Sequence, residues 1–355
     1  MKRYGNLYER LIDKENVMEA VRRSARKKGS RRSVQRALAD VEGAADKVIA
    51  IIEGGFHPAA PTVIVRYDAR RRKERTICCP RYFPDQIVHH ALMQVLIPCI
   101  MRGMADGCMA SVPGRGNHAA VRKVERWVRE DRKHTKYCLQ LDIRHFYASI
   151  PRDAMKARLR RLVKDERFLS VLFAVIDSSP VPGLPIGFYT SQWLANLYLQ
   201  DLDHAASERW GASHYVRYAD DVLAFSPSKR KLHRMRREMA AMLAGLGLEM
   251  KPDWQVFRVL PKRPISFLGY DIAPKLTKLR ARTWLHMTRR IRAVAKKRRP
   301  TAHDARQVMS MLGSMRRIPH DRFMEKHVYP YVKIKRLKEL IRSDQRRVQR
   351  QAACR

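Results

Sequence analysis

Three carboxylates stand in company too apolar for ordinary solvated acids. Asp142 ends the run YCLQLD, and Asp220 and Asp221 sit side by side inside VRYADDVLAF, residues 216–225. Like charges that close repel, and removing them from water is expensive unless a cation sits nearby. Two neighbouring strands with acids at their ends can hold two divalent cations between them. Two magnesium ions about 3.5–4 Å apart would stabilise the attacking and leaving oxygens of an in-line phosphoryl transfer. Magnesium takes oxygen ligands, keeps several waters and binds through one or two carboxylates plus substrate phosphates. The plainer reading of an Asp-Asp pair is a polar turn, since Asp is a common turn residue. The apolar flanks and the matching Asp142 weigh against it.

The elements that must position these acids follow from the pattern. The first 56 residues read as two basic helices, broken near KKGSRRS and closed by GGFHP. TVIVRYD and RTICCP look like strands flanking the basic turn ARRRKE, and PDQIVHHALMQVLIPCIM has helical apolar spacing. VPGRGNHAAVRKVERWVRE opens with a Gly-rich turn and continues as a helix. YCLQLDIRHFYASI alternates like a half-buried strand and leads into the helix PRDAMKARLRRLV. In TSQWLANLYLQDLD a Thr or Ser cap starts a helix with Leu194, Leu197, Tyr198 and Leu202 on one face. HYVRYA and VLAF are short strands meeting at Asp220-Asp221 as a hairpin. A further strand pair is expected around WQVFRVL and ISFLGYDI. From Lys275 the pattern is helical and very basic, with KKRRP at 296–300, and the composition shift there marks a domain boundary. The order is helices, a mixed α+β middle, then a basic helical end.

Composition narrows the partner. Lys and Arg number 74 against 34 Asp and Glu, a net charge of +40 with a pI near 10.7. Such a surplus hinders compaction unless a polyanion offsets it, and nucleic acid is the obvious one. Anionic membrane competes, but no apolar run approaches the 18 or so residues needed to span it. The start, MKRYGNLYERLIDKEN, lacks the apolar core of a signal peptide, so a cytoplasmic protein is expected. Six cysteines, Cys78, Cys79, Cys99, Cys108, Cys138 and Cys354, form no CxxC pair and have no His partners at zinc-finger spacing. They read as reduced thiols, with Cys78 and Cys79 on opposite faces of a strand.

With these motifs in order, the chain resembles a known family. LDIRHFY is similar to the first acidic motif of reverse transcriptases, YADD to their catalytic hairpin, and FLGY at 267–270 to the segment that grips the primer end. In LPIGFYTSQWLANLYL most reverse transcriptases carry Gln-Gly-x-x-x-Ser-Pro. This chain has Ile186 and Gly187, then Phe-Tyr-Thr-Ser and Gln192. That variant resembles the enzymes of diversity-generating retroelements, prokaryotic relatives of group II intron and retron enzymes.

The resemblance implies an α+β right-hand polymerase: fingers over 1–135, a palm with an antiparallel sheet over 136–274, and a helical thumb over 275–355. It implies Asp142, Asp220 and Asp221 as ligands of two Mg2+ ions (Mn2+ in substitution), with the backbone carbonyl of Ile143 as a further ligand. Tyr147 would be the steric gate, a ring under the incoming sugar that leaves no room for a 2′-hydroxyl. Lys73 and Arg75 would clasp the triphosphate, Arg75 by bidentate hydrogen bonds and Lys73 as a point charge. Ile186, Gly187 and Gln192 would line the nucleotide site. Arg115 and His118 resemble a template-contacting turn, although SVP precedes it where the family has Cys or Arg. Phe267, Leu268, Gly269 and Tyr270 would hold the primer. Many polymerases place a proton-donating Lys after the catalytic hairpin; here Trp254 stands near that position and Lys251 is a substitute.

The stretch after 275 is too short for a ribonuclease H domain, and no His/Cys pattern suggests an endonuclease. The partners implied are a template RNA, nascent cDNA, deoxynucleoside triphosphates and an accessory subunit. The first reading is therefore RNA-directed DNA synthesis, mutagenic as in diversity-generating retroelements. An antiphage defence enzyme copying its own noncoding RNA shares that chemistry. A silent RNA-binding protein on a polymerase scaffold is the reading from another class, and a basic membrane-surface protein explains none of the acids.

Overall fold

The computed structural model describes residues 3–68, 73–315, 318 and 320–353. They separate into two compact units, one made of residues up to 68 and 73–259, the other of residues from Leu260 onward. The division by packing thus falls before the composition shift at Lys275.

The first unit opens with α1 (Leu7–Leu11), α2 (Lys14–Ser24), α3 (Arg32–Ala39) and α4 (Val41–Glu53). Two helices were expected here, and four form. Carboxylates explain the extra starts: Asp13 accepts from the Asn16 N–H and Asp40 from the Gly43 N–H, each capping a new helix. Next come β1 (Thr62–Asp68) and β2 (Lys73–Cys79), an antiparallel pair whose connecting residues 69–72 lie outside the described ones. Cys78 is buried and Cys79 half-buried, as strand alternation requires. A wide turn at Tyr82–Gln86 leads into α5 (Ile87–Met101), which is apolar on most sides and takes the packing of α1, α2 and α10 (Tyr189–Tyr198). Between α5 and α10 lie α6 (Asn117–Glu130), β3 (Tyr137–Asp142), α7 (Phe146–Ser149), α8 (Arg152–Leu162) and α9 (Glu166–Asp177). The strand read through YCLQLDIRHFYASI stops at Asp142, because His145 takes a left-handed φ of 45° and turns the chain into α7.

After α11 (Gln200–His204) the chain forms β4 (His214–Tyr218), β5 (Asp221–Ser226), α12 (Lys229–Gly245) and β6 (Gln255–Arg258). These strands and β3 make one antiparallel sheet in the order β4-β5-β3-β6. Val222–Phe225 are all fully buried, so β5 reads as a continuous apolar run instead of alternating. α12 lies across β3, β5 and β6. WQVFRVL pairs with β3 and not with ISFLGYDI, a correction to the strand pair expected from sequence. α10 starts without a Thr or Ser cap: Phe188 precedes it, and Ser191, inside the helix, donates instead to the Pro185 carbonyl at 2.7 Å.

The second unit holds a three-stranded antiparallel sheet of β7 (Ile265–Phe267), β8 (Tyr270–Ile272) and β9 (Thr277–Leu279). Four helices follow: α13 (Ala281–Ala295), α14 (Ala302–Met315), α15 (Asp321–His327) and α16 (Ile334–Ala353). Buried Asp304 accepts from Lys297, Arg290 and Thr301, and the Thr301 hydroxyl accepts in return from the Asp304 N–H, a reciprocal cap for α14. Lys297, part of KKRRP, is therefore committed to an internal pair. The fold class is α+β. Among the described residues no helix is long and apolar enough to cross a membrane.

One carboxylate ties the amino-terminal helices to the rest of the first unit. Asp165 accepts from the N–H groups of Leu7 and Tyr8, both at 2.8 Å, and from Phe168 N–H at 3.2 Å, so it caps α1 and α9 together. Two caps at roughly 1 kcal/mol each make Asp165→Ala a loss of about 2 kcal/mol. The urea midpoint measures it, and a shift worth less than about 0.5 kcal/mol would mean that water replaces both caps.

Candidate active site

β3 and β5 bring the acids together by register. Asp142 stands directly opposite Asp221, and Asp221 in turn pairs with Tyr218 across the hairpin. Residues directly opposed in an antiparallel pair project from the same face, about 5 Å apart at Cβ. Asp142 and Asp221 thus share a face at the end of the sheet. The two-residue turn between Tyr218 and Asp221 is Ala219-Asp220, and Ala219 has a left-handed φ of 56°. The Ile143 N–H donates to the Asp220 carbonyl at 3.1 Å, which locks the turn to the end of β3. On the other side, Lys251 N–H donates to the Asp142 carbonyl at 2.9 Å and the Lys251 ammonium contacts the Asp142 carboxylate. Burial pushes the Asp142 carboxyl above its ordinary range; Lys251 pulls it down and the charge of Asp220 pushes it up again. The half-buried acid is therefore short of positive charge, and a lysine covers part of the deficit.

Beneath the turn lies a buried arginine. Arg217, fully enclosed, gives Nε and Nη2 to the two oxygens of Asp203 at 2.7 and 2.6 Å and Nη1 to the Ala219 carbonyl at 3.1 Å. Burial opposes its charge and Asp203 more than offsets that, so the guanidinium stays ionised.

Tyr147 is half-buried on α7. Burial, with the charge of Asp220 second, pushes its phenol up to about 12, so the hydroxyl stays protonated beside the carboxylates. Its carbonyl accepts from Leu184 N–H at 2.8 Å, and at Gly183 (φ 64°) a Cβ would lie 2.4 Å from that same oxygen. The following segment docks on β2: Cys78 N–H donates to the Ile186 carbonyl at 2.8 Å. Gly187, at φ 114°, approaches the Cys78 carbonyl so closely that a Cβ would lie 2.3 Å from it. The Ile186 side chain remains 38% exposed. α5 supports the same segment, His89 packing on Phe188 and His90 stacking on Tyr189 at 4.0 Å. Burial pushes these imidazoles down to about 3 and about 4, so both are neutral near pH 7.

Residues 71–272, more than half of the chain, match the reverse transcriptase (RNA-dependent DNA polymerase) family. The chain belongs to that family. A relative in Schizosaccharomyces pombe, named as an uncharacterized 91 kDa protein in cob intron, is 26% identical over 171 residues, covering 44% of this chain and 20% of its own length. The chain thus matches about a fifth of that relative. Apo telomerase from Candida tropicalis shares the fold at a TM-score of 0.50 and 10% identity, with 75% of this chain and 55% of the other covered. The telomerase of the same organism with a TWJ fragment of telomeric RNA superposes at 0.48 and 12% identity, over 85% and 64% of the two chains.

The other residues named from sequence are spread over several elements of the chain. Arg75 lies on β2, three positions before the Cys78 that docks Ile186; the side chain of Lys73 is outside what is described. The loop before α6 holds Arg115, whose guanidinium donates to the carbonyls of Ala105 and Cys108, both at 2.8 Å, and so braces the loop itself. His118 is exposed in the first turn of α6. Gln192, exposed on α10, accepts from the Ser111 hydroxyl at 2.8 Å and ties that loop to the helix. In the second unit Phe267 and Tyr270 are buried and flank a hairpin turn with Leu268 at φ 49° and Gly269 at φ 91°. Their rings belong to that unit's core, and the Gly269 carbonyl between them accepts from the Arg280 N–H at 3.0 Å. Trp254 is held by Arg236, 4.5 Å over its ring, while Lys251 is the residue at Asp142.

Sequence reading passed over Arg217, Asp203 and Asn196. Its usable signal was polarity in the wrong place: an arginine inside the apolar strand HYVRY, and polar side chains on the buried side of TSQWLANLYLQDLD. Among the described residues no three carboxylate, imidazole or thiol groups close around one point as a complete metal cage. The donor set still fits magnesium, which takes one or two carboxylates and completes its shell with water and substrate phosphate.

The Asp142 carboxyl is raised by burial, so its stabilising contribution is present at low pH and lost as pH rises through the folded-state value. Asp142→Asn removes the opposing charge. In EDTA at pH 7 the variant should melt at or above wild type, and Mg2+ or Mn2+ should raise the wild-type melting temperature while leaving the variant's nearly unmoved. Thermal melts with and without cation check both, and a lower melt in EDTA would make Asp142 a folding residue.

Proposed function

We propose that this reverse transcriptase is an RNA-directed DNA polymerase that copies a dedicated template RNA into cDNA by two-metal nucleotidyl transfer, with the low fidelity of diversity-generating retroelement enzymes. The observation that carries the reading is the β3–β5 register, which opposes Asp142 and Asp221 beside a turn that carries Asp220. Asp142, Asp220, Asp221 and the Ile143 carbonyl would hold two Mg2+, or Mn2+ in their place. The chemistry such ions supply when bound is stabilisation of the attacking 3′-oxygen and the leaving pyrophosphate.

The chain's own residues do the selecting. Tyr147, clamped through its carbonyl and close enough to feel Asp220, sets a rigid ring against a ribonucleotide's 2′-hydroxyl. Arg75 and Lys73 on β2 would receive the triphosphate, and the Cys78–Ile186 hydrogen bond ties that strand to the segment carrying Ile186 and Gly187. Arg115, His118 and the Phe267–Tyr270 hairpin would guide template and primer, Arg115 by shaping its loop. The +40 charge supports RNA as the main partner and leaves surface for an accessory subunit.

Low fidelity rests on Ile186. Its side chain is partly open and not packed into an apolar gap. A Gln there can hydrogen-bond near the nascent base pair; Ile forfeits on the order of 1 kcal/mol of positioning, a severalfold loss of discrimination.

Asp220→Asn keeps the turn's shape and removes a charged ligand. Extension of a DNA primer on an RNA template with deoxynucleotides should fall about 100-fold or more, the equivalent of roughly 3 kcal/mol, while RNA binding persists. Wild-type extension by this variant would end the polymerase reading. Ile186→Gln should extend normally and lower misincorporation opposite template adenine severalfold, more than opposite other bases. Sequencing of the products reads this, and an unchanged error spectrum would place the infidelity elsewhere.

A further inference from the structure

We propose that Arg217 is a positioning residue, which sets the direction of the Asp220 carboxylate by holding the Ala219 carbonyl from below. The side chain is wholly buried, and each of its five N–H donors has an acceptor. Nε and one N–H of Nη2 go to Asp203, at 2.7 and 2.6 Å. The other N–H of Nη2 goes to the Cys108 sulfur at 3.4 Å. Nη1 serves Asn196 Oδ1 at 3.3 Å and the Ala219 carbonyl at 3.1 Å. Asp203 accepts in addition from the Tyr215 hydroxyl at 2.7 Å.

Stability alone does not account for such an arrangement. Taking both charges out of water is costly, and well-packed apolar residues of similar volume are often as stable or more so. What an apolar replacement cannot do is donate to a carbonyl. Ala219 needs that help, because a non-glycine residue at left-handed φ costs about 1–2 kcal/mol and relaxes unless its surroundings hold it. Two hydrogen bonds hold this turn from different elements: Arg217 grips the carbonyl of Ala219, and the Ile143 N–H grips that of Asp220. The peptide groups on both sides of the Asp220 Cα are thereby fixed relative to β3, which carries Asp142.

Arg217 is itself immobile. Its backbone N–H donates to Gly107 at 2.8 Å and its carbonyl accepts from Met109 N–H at 2.9 Å. Apart from the Ala219 carbonyl, its side-chain acceptors come from α10, α11 and the loop before α6, all outside the β4–β5 hairpin. The turn is therefore referenced to the packed interior of the first unit and not only to its own hairpin. Such preorganisation is what a metal-ligating carboxylate requires, since an ångström of looseness costs activity.

The proposal deepens the polymerase reading and rests on it, so the test reads metal binding as well as extension. In the triple variant Arg217→Met, Asp203→Leu and Tyr215→Phe apolar side chains replace the ion pair and its hydroxyl, and Asn196 keeps its hydrogen bond to the Ala110 carbonyl. The variant should melt within a few degrees of wild type, yet bind Mn2+, titrated directly by electron paramagnetic resonance, about 10- to 100-fold more weakly. Its kcat for extension should fall with little change in the KM for deoxynucleotide. Arg217→Lys, which keeps the charge beside Asp203 but cannot make the fork, should show the same weakening to a smaller degree. If the triple variant does not fold, Arg217→Lys decides: wild-type Mn2+ affinity in its folded protein overturns the proposal. A folded triple variant with wild-type Mn2+ affinity overturns it as well and leaves the cluster a staple. Wild-type protein that binds Mn2+ but extends no primer would sink the polymerase reading, while the Mn2+ titrations still judge Arg217.

Discussion

Like-charge repulsion between neighbouring aspartates is the constraint around which the first unit is arranged. The β3–β5 register sets Asp142 against Asp221, and the adjoining turn adds Asp220. Left to itself such a cluster would splay apart or move into solvent. It does neither because its backbone is held by a four-stranded sheet whose interior strands are buried on both faces. Strain at Ala219 and the raised carboxyl of Asp142 are what that rigidity sustains. A protein that only needed to fold would shed both features.

The positive charges nearby divide into two kinds. Lys251 is partly exposed and meets Asp142 directly, so it can yield to a cation or a phosphate. Arg217 is enclosed, paired with Asp203 and unable to reach solvent or substrate. One tunes the charge of the site and the other its geometry. A buried ion pair of the second kind contributes little net stability, and its worth lies in specifying one arrangement over others.

Docking of the Ile186-Gly187 segment on β2 has a similar logic. A hydrogen bond from Cys78 and a glycine pressed against the same residue's carbonyl join two parts of the chain far apart in sequence. Only glycine fits there, because of both the left-handed φ and the missing Cβ. The Ile186 side chain is thereby left partly open, which is why its identity bears on what the site recognises and not on how the core packs.

Local features were legible in the sequence for local reasons. The apolar runs around Asp142 and Asp220-Asp221, the hairpin between β4 and β5, and the helical spacing of α5, α6 and α10 all follow from side-chain periodicity, which reports which face of an element is buried. The charge excess pointed to nucleic acid by summation alone. Helix starts at Asp13 and Asp40 were present as capping residues but were not read. Partner choice was decided only by the tertiary structure, because pairing between distant elements depends on how whole surfaces pack. β6 joins β3 and not the strands nearest it in sequence, Lys251 reaches Asp142, and Arg217 finds Asp203 across the interior. The sequence by itself determined that acids stand at the ends of buried strands. The fold decided which acids face each other, because register belongs to two strands at once and neither strand's pattern contains it.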